Sequence, residues 1–122
     1  MYVIRSKDDL HKLHAIKDAP NILVRFVMNG CVWCVKSQHE WEKACKDHPP
    51  KEGAIVEVEQ EFIDPFNKIL EPRNIKINVS GFPTIMMIKG RDIDEVKSIH
   101  EMKKFSGGRK KLKTRRRRKS RK

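Results

Sequence analysis

The chain has 122 residues and a formal net charge of +12, so a single domain is expected. The charge is concentrated at one end, because residues 103–122 contain 13 of the 28 Lys and Arg residues and none of the 16 Asp and Glu residues. No stretch approaches the roughly 18 apolar residues of a transmembrane segment, and the polar first residues exclude a secretory signal peptide. The composition therefore predicts a cytoplasmic or nuclear protein, or one packaged in a virion.

The first part of the chain predicts a strand, a helix and a second strand. Residues 3–4 form the first strand, and Ser6 is placed to cap a helix that continues to about residue 17. Residues 22–28 are apolar except for Arg25, which is typical of a central strand that is covered on both faces. This second strand leads directly into the first cysteines.

The rest of the chain predicts alternating helices and strands. A helix is expected from near residue 31 to residue 47, where His48-Pro49-Pro50 ends it. The later elements are a strand at 54–59, a helix at 64–70, a strand at 84–88 and an edge strand at about 96–105. Strands joined by helices are expected to be parallel and the last two to form an antiparallel hairpin. The fold class is therefore α/β with a mixed sheet.

Two cysteines mark the start of the long predicted helix. Cys31 and Cys34 are three residues apart, a spacing that puts both sulfurs on one helical face within the reach of a disulfide. Backbone N–H groups at a helix start favour the thiolate of Cys31. Cys31 is therefore the predicted nucleophile and Cys34 the resolving thiol. The alternative is a pair of buried structural cysteines.

A zinc site is a second alternative, because Cys31, Cys34, Cys45 and His48 are suitable ligand types. In one continuous helix, however, Cys45 lies about 16 Å along the axis from Cys34, whereas ligands of one zinc ion lie within about 2.3 Å of the metal. The sequence therefore predicts no metal site and no cofactor, and it leaves Cys45 as a structural or incidental free thiol.

The chain resembles the thioredoxin superfamily, in particular thioredoxins and protein-disulfide-isomerase domains. The resemblance covers about residues 2–108, and it rests on the apolar strand at 22–26, the Cys31-x-x-Cys34 pair, Val79-x-Gly-Phe-Pro-Thr84 and the Phe105-x-Gly-x-Arg109 ending. It implies a thioredoxin-like three-layer fold with a central mixed sheet. It also implies a protein-disulfide oxidoreductase that acts on protein disulfides and dithiols.

The resemblance implies roles for residues around the cysteines. A cis peptide bond between Phe82 and Pro83 would place Pro83 against Cys31 and Cys34, and the Phe82 backbone would be free to pair with a substrate strand. Trp33, between the cysteines, is either a substrate-facing aromatic or a packing residue. Gly30 replaces the aromatic residue that usually precedes the first cysteine, so the redox potential does not follow from the family.

A second departure concerns a buried charge. Thioredoxins have an acid six residues before the first cysteine and a lysine in the next strand, whereas this chain has Arg25 and Glu57. We predict a charge-reversed, partly buried ion pair beneath the cysteines, because a lone buried arginine is costly. Glu57 would accept the proton of Cys34, and Arg25 would lower the pKa of nearby thiols. The alternative is that Arg25 is simply solvated.

Residues 109–122 form a basic tail after a predicted domain of residues 1–108. Only Leu112 is apolar in this segment, so the final amphipathic helix of the family is missing or replaced. The tail predicts association with nucleic acid or another polyanion, or nuclear or virion targeting. The residues expected to bind polyanions are Arg109, Lys110, Lys111, Lys113, Arg115, Arg116, Arg117, Arg118, Lys119, Arg121 and Lys122. The alternative function is a redox-silent thioredoxin-like module that docks on nucleic acid.

Overall fold

Five strands form one mixed sheet in the computed structural model, which describes residues 1–99 and 101–102. In chain order they are β1 (Tyr2–Ile4), β2 (Asn21–Val27), β3 (Gly53–Glu59), β4 (Thr84–Lys89) and β5 (Asp92–Val96). Across the sheet the order is β1-β3-β2-β4-β5. β1 and β2 run parallel to β3, whereas β4 is antiparallel to β2 and to β5. The apolar segment before the cysteines is therefore the central strand, as predicted.

Helices connect the first four strands. A 3-10 helix (Lys7–Lys12) leads into α1 (Leu13–Ile16), and α2 (Val32–Lys36) and α3 (Gln38–Asp47) follow β2. A 3-10 turn (Gln60–Phe62) precedes α4 (Ile63–Leu70), and a last one (Glu71–Arg73) follows it. The sheet and these helices make the predicted three-layer α/β arrangement.

The strand alternation of β2 separates two hydrophobic clusters. Ile22, Val24 and Phe26 belong to a cluster that includes residues of α1 and α4, whereas Leu23 belongs to a cluster with Trp41 of α3. Successive side chains of a strand point to opposite faces. Arg25 therefore lies on the α3 side of the sheet.

Two predicted helices differ from the observed ones. The predicted helix at 6–17 begins with a 3-10 helix, whose first bond runs from the Asp9 N–H to the Ser6 carbonyl at 3.0 Å. The Asp9 carboxylate also accepts from the backbone N–H of Arg5 at 3.0 Å, which favours the tighter turn. The predicted single helix at 31–47 was wrong, because Ser37 separates α2 from α3.

The predicted direction of β4 was wrong, because a helix-linked strand was expected to be parallel. Residues 74–83 separate the 3-10 turn after α4 from β4, and an extended segment of this length spans about 33 Å. That is longer than a six-residue strand, which spans about 20 Å. The chain therefore has room to cross the sheet and enter β4 from the opposite end.

The predicted edge strand at 96–105 was also placed too late. β5 is Asp92–Val96, and Lys89 pairs with Asp92 across a two-residue turn in which Gly90 has a φ of 61°. Tight hairpins need such positive φ values, which glycine adopts without strain. The acidic residues Asp92, Asp94 and Glu95 lie exposed on this edge strand, where charges are common. The predicted tail and missing final helix lie outside the described residues.

Candidate active site

Cys31 and Cys34 form a disulfide at the carboxyl end of the central strand. Their Cα atoms are 5.2 Å apart, as the three-residue spacing predicts. Gly30 precedes them with a φ of 75°, which lets the chain turn sharply out of β2. Cys31 is the N-cap of α2, and its sulfur accepts a hydrogen bond from the Cys34 N–H at 3.0 Å. The strand–turn–helix junction thus brings the two sulfurs together.

The disulfide is shielded, but apolar side chains around it are exposed. Cys31 and Cys34 are buried, whereas Trp33 between them is 67% exposed and Val35 is 75% exposed. The Lys36 ammonium lies 4.9 Å from the centre of the Trp33 ring. Trp33 is therefore a surface side chain rather than a core residue, and its contact with substrates stays a prediction.

Phe82 and Pro83 belong to a segment that is distant from the cysteines in sequence. The peptide bond between them is cis. The Phe82 side chain packs against a small cluster of Val27, Cys31 and Cys34. Pro83 borders a surface groove together with Ser37 at the end of α2. The distant segment singled out in the sequence is thus brought to the disulfide, with Phe82 as the contacting side chain.

Arg25 and Glu57 form the predicted ion pair. The two residues are direct neighbours on β2 and β3, and Arg25 Nη1 lies 3.0 Å from Glu57 Oε1. Their side chains are 0% and 1% exposed, so the pair is fully buried rather than partly buried. The alternative of a solvated Arg25 is wrong, and the effect of the pair on the thiols stays a prediction.

The Arg25 guanidinium also holds the helical segment that carries Cys34. Its Nη2 donates to the Cys34 carbonyl at 2.7 Å and to Ser37 Oγ at 2.8 Å. In an uninterrupted helix the Cys34 carbonyl would accept from the N–H of residue 38. The Ser37 hydroxyl donates in turn to the Trp33 carbonyl at 2.7 Å. These competing bonds explain why α2 and α3 are separate helices.

Three further residues complete this buried network, and sequence reasoning missed them. Arg5 Nη2 donates to the second carboxylate oxygen of Glu57, and Gln38 accepts from Arg25 Nη1 at 2.8 Å. Ser37 is the third. Burial lowers the pKa of Arg25, and the Glu57 carboxylate acts in the opposite direction. A guanidinium stays charged in such surroundings, so a fixed positive charge lies beneath Cys34.

Comparison with solved structures gives 117 matching chains. Oxidised thioredoxin from Plasmodium falciparum has a TM-score of 0.56 and 16% identity, over 88% of this chain and 99% of that one. Thioredoxin from Fasciola hepatica has a TM-score of 0.53 and 21% identity, over 87% and 99%. The germline-specific thioredoxin Deadhead from Drosophila melanogaster has a TM-score of 0.54 and 18% identity, over 85% and 94%.

The chain has the thioredoxin fold. The α/β fold class with a mixed sheet is thereby confirmed, and the resemblance inferred from the sequence is confirmed at the level of the fold. Identities of this size show the fold alone, because one fold hosts many activities. No protein-family model matches the chain, and no curated protein matches it in sequence. Within the described residues no helix is long and apolar enough to cross a membrane.

Cys45 lies apart from the two other cysteines of this thioredoxin fold. It is a buried free thiol on α3, in the cluster with Trp41 and Met87, and burial raises its pKa from 9.0 to about 12. The zinc alternative needs Cys45 beside Cys31 and Cys34. Over residues 1–99 and 101–102, no group of three or more His, Cys, Asp or Glu side chains is arranged to hold a metal ion.

We expect Cys45 to make the oxidised protein less stable at alkaline pH. Its pKa is raised on folding, so thiolate formation favours the unfolded chain. The contribution of the protonated Cys45 thiol to stability is complete below about pH 9 and is lost as pH rises toward about 12, at up to about 1.4 kcal/mol per pH unit. Urea unfolding of wild type and Cys45→Ala between pH 8 and pH 11 gives the slope of the unfolding free energy against pH for each protein. Equal slopes for the two proteins would contradict the prediction.

A cleft opens beside the disulfide. Its volume is about 570 Å³, within the range of small-ligand sites. Its apolar walls include Met28 and Val35. Its polar lining consists of Asn29, Arg5, Gln38, Glu42, Glu57 and Glu59. The cleft thus places both cysteines next to charged groups of β3.

Proposed function

We propose that this protein is a thiol–disulfide oxidoreductase that acts on protein disulfides and dithiols through Cys31 and Cys34. The observation that carries the proposal is the disulfide between these residues at the start of α2, next to Phe82 and above the Arg25 charge. A metal or organic cofactor is not part of the proposal, because thiol–disulfide exchange needs only the sulfurs.

The exchange proceeds in two displacements. In the reduced protein, the Cys31 thiolate attacks one sulfur of a substrate disulfide, and the other substrate sulfur leaves as a thiolate that takes up a proton. The Cys34 thiolate then attacks the Cys31 sulfur of the mixed disulfide and releases the second substrate thiol. The substrate gains two electrons and two protons, and the protein becomes the Cys31–Cys34 disulfide.

The surrounding residues support these steps in the proposal. The Arg25 guanidinium, which donates to the Cys34 carbonyl, favours negative charge on the nearby sulfur. Glu57 lines the cleft with Cys34 and accepts the proton that Cys34 loses. The Phe82 backbone, Pro83 and the exposed Trp33 ring meet the substrate chain.

The proposal predicts a reversible two-electron couple. When the protein is equilibrated in buffers of reduced and oxidised dithiothreitol, Cys31 and Cys34 should change together, and Cys45 should stay a thiol. Acid quenching, alkylation and mass spectrometry count the thiols at each potential. The proposal is supported if the ratio of reduced to oxidised protein changes tenfold for about every 30 mV, which is the slope of a two-electron couple. Cysteines that titrate independently, or never reduce, would contradict it.

We further propose that residues 1–108 are the folded domain and that residues 109–122 form a polyanion-binding tail. The support is the charge: the 11 Lys and Arg residues of the tail have no acidic neighbour within it. Such a tail suits nucleic acid, nuclear import or packaging in a virion. The same tail also favours the competing function, a redox-silent binding module that docks on nucleic acid.

Tail binding should depend steeply on salt and should not depend on base sequence. If Arg115, Arg116, Arg117 and Arg118 each contact one phosphate, their replacement by glutamine reduces the slope of log affinity against log salt by about 4. Fluorescence anisotropy with a duplex DNA at several salt concentrations measures the slope. A Cys31→Ser protein is the control, since it keeps the tail intact and should keep the wild-type slope. An unchanged slope in the glutamine variant would contradict tail binding.

A further inference from the structure

Glu59 is a carboxylate that the buried network leaves unused. It is the last residue of β3. Glu57 precedes it by two positions, so both side chains point to the same face of the sheet. Glu59 is only 8% exposed. Glu57 is held by Arg25 and Arg5, whereas the side chain of Glu59 makes no hydrogen bond or ion pair with any other described residue. The protein thus encloses most of this residue and leaves its carboxylate only the solvent of the cleft as a hydrogen-bond partner, so covering the carboxylate without replacing those bonds would be costly.

The Glu59 side chain borders the cleft that contains the disulfide. Cys31, Cys34 and Glu59 line the same cavity of about 570 Å³. Glu59 also borders a second cavity of about 430 Å³, which it shares with Met28 and Asn29. A group that binds Glu59 from the first of these cavities therefore lies in the same cleft as the two sulfurs.

The other charged side chains of the cleft already have partners. Arg5, the cationic side chain of its lining, donates to Glu57. Glu42 accepts from Gln38 Nε2 at 2.9 Å. A neutral substrate group that covered the cleft would remove water from Glu59 without replacing its hydrogen bonds, which is unfavourable. A positively charged group would supply those bonds, and a negatively charged one would be repelled.

We propose that Glu59 is a specificity-determining residue that selects disulfide substrates with a lysine or arginine next to the disulfide. The inference rests on the proposed function, since the cationic side chain binds in the cleft while Cys31 attacks the neighbouring sulfur. The exchange itself is unchanged: two electrons pass from the Cys31 and Cys34 thiols to the substrate disulfide, and two substrate thiols are released.

Short peptide disulfides test this selection. The substrates are the symmetrical disulfides of N-acetyl-Lys-Cys-amide, N-acetyl-Gln-Cys-amide and N-acetyl-Glu-Cys-amide, which differ mainly in charge. The full chain is reduced with dithiothreitol, freed of reductant and mixed with each disulfide. Acid-quenched samples are alkylated, and mass spectrometry gives the rate at which Cys31 and Cys34 become oxidised. The readout is the ratio of the lysine to the glutamine rate.

We expect the wild-type ratio to be about tenfold, the effect of one charge-assisted hydrogen bond. Glu59→Gln should bring the ratio to within about twofold of unity, and Glu59→Lys should make the glutamate peptide the fastest. The control is Glu61→Gln, which removes a neighbouring exposed carboxylate and should keep most of the selectivity. An unchanged ratio in Glu59→Gln, or an equal loss in Glu61→Gln, overturns the inference alone. A protein that oxidises with none of the peptides overturns the proposed function as well.

Discussion

Replacing Cys31 by serine is expected to reduce the catalysed reduction of insulin to the rate of dithiothreitol alone, a fall of roughly two orders of magnitude or more. A serine hydroxyl at neutral pH is neither ionised nor able to form the mixed disulfide. The Cys31 sulfur occupies the N-cap of α2 and accepts the Cys34 N–H, so it has a donor that stabilises its thiolate. The turbidity of precipitating insulin chains measures the rate.

The matched control for this experiment is Cys34→Ser. This variant keeps the attacking thiol but lacks the resolving one, so it should accumulate a covalent complex with a substrate that mass spectrometry detects before and after reduction. Cys45→Ala should keep wild-type turnover, because Cys45 is buried in the cluster with Trp41. Equal turnover by wild type and Cys31→Ser would favour the redox-silent binding module.

Replacing Arg25 by leucine is expected to lower the free energy of unfolding of the oxidised protein by about 3–5 kcal/mol. The substitution removes the ion pair at 3.0 Å from a 1% exposed Glu57. It also removes donors from the Cys34 carbonyl and the Ser37 hydroxyl. The half-exposed Arg5 remains as a partner of Glu57, which moderates the loss. Urea unfolding monitored by circular dichroism measures the change in the free energy of unfolding.

Two comparisons make this prediction specific. The double variant Arg25→Leu/Glu57→Leu should be more stable than Arg25→Leu alone by about 2 kcal/mol, because it leaves no unpaired buried charge at this position. Lys43→Leu removes an ion pair between Lys43 and Asp47, in which the two side chains are 71% and 48% exposed. This substitution should change the free energy of unfolding by less than about 1 kcal/mol. A loss in Lys43→Leu as large as in Arg25→Leu would show that burial is not the cause.

The central strand and the cysteine pair could be predicted because their signals are local. An apolar run that ends at Asn29-Gly30 before Cys31 indicates a strand, a turn and a helix within a dozen residues. Arg25 stood out for the same reason, as one charge in an apolar strand that had to find a partner. Glu57 followed from the family pattern, and the register of β2 and β3 confirms that the two residues are neighbours.

The rest of the site depends on contacts between distant segments, which leave little trace in the sequence. The break at Ser37 follows from a guanidinium on β2 that binds the carbonyl of Cys34, and no glycine or proline signals it. Arg5 reaches Glu57 only because β1 adds to the edge of β3. Glu59 belongs to the cleft only because β3 ends beside the disulfide. Such partners require the strand order and register, which sequence periodicity does not give.

Successive side chains of β2 point to opposite faces of the sheet, so the register of this strand determines both the packing of the core and the position of Arg25. If β2 slipped by one residue against its neighbours, Ile22, Val24 and Phe26 would leave their cluster and Arg25 would turn away from Cys34. The same error would expose apolar surface and release the segment that carries the resolving sulfur. Under the proposed function a misassembled chain would thus be inactive, so that disulfide exchange would require the native strand pairing.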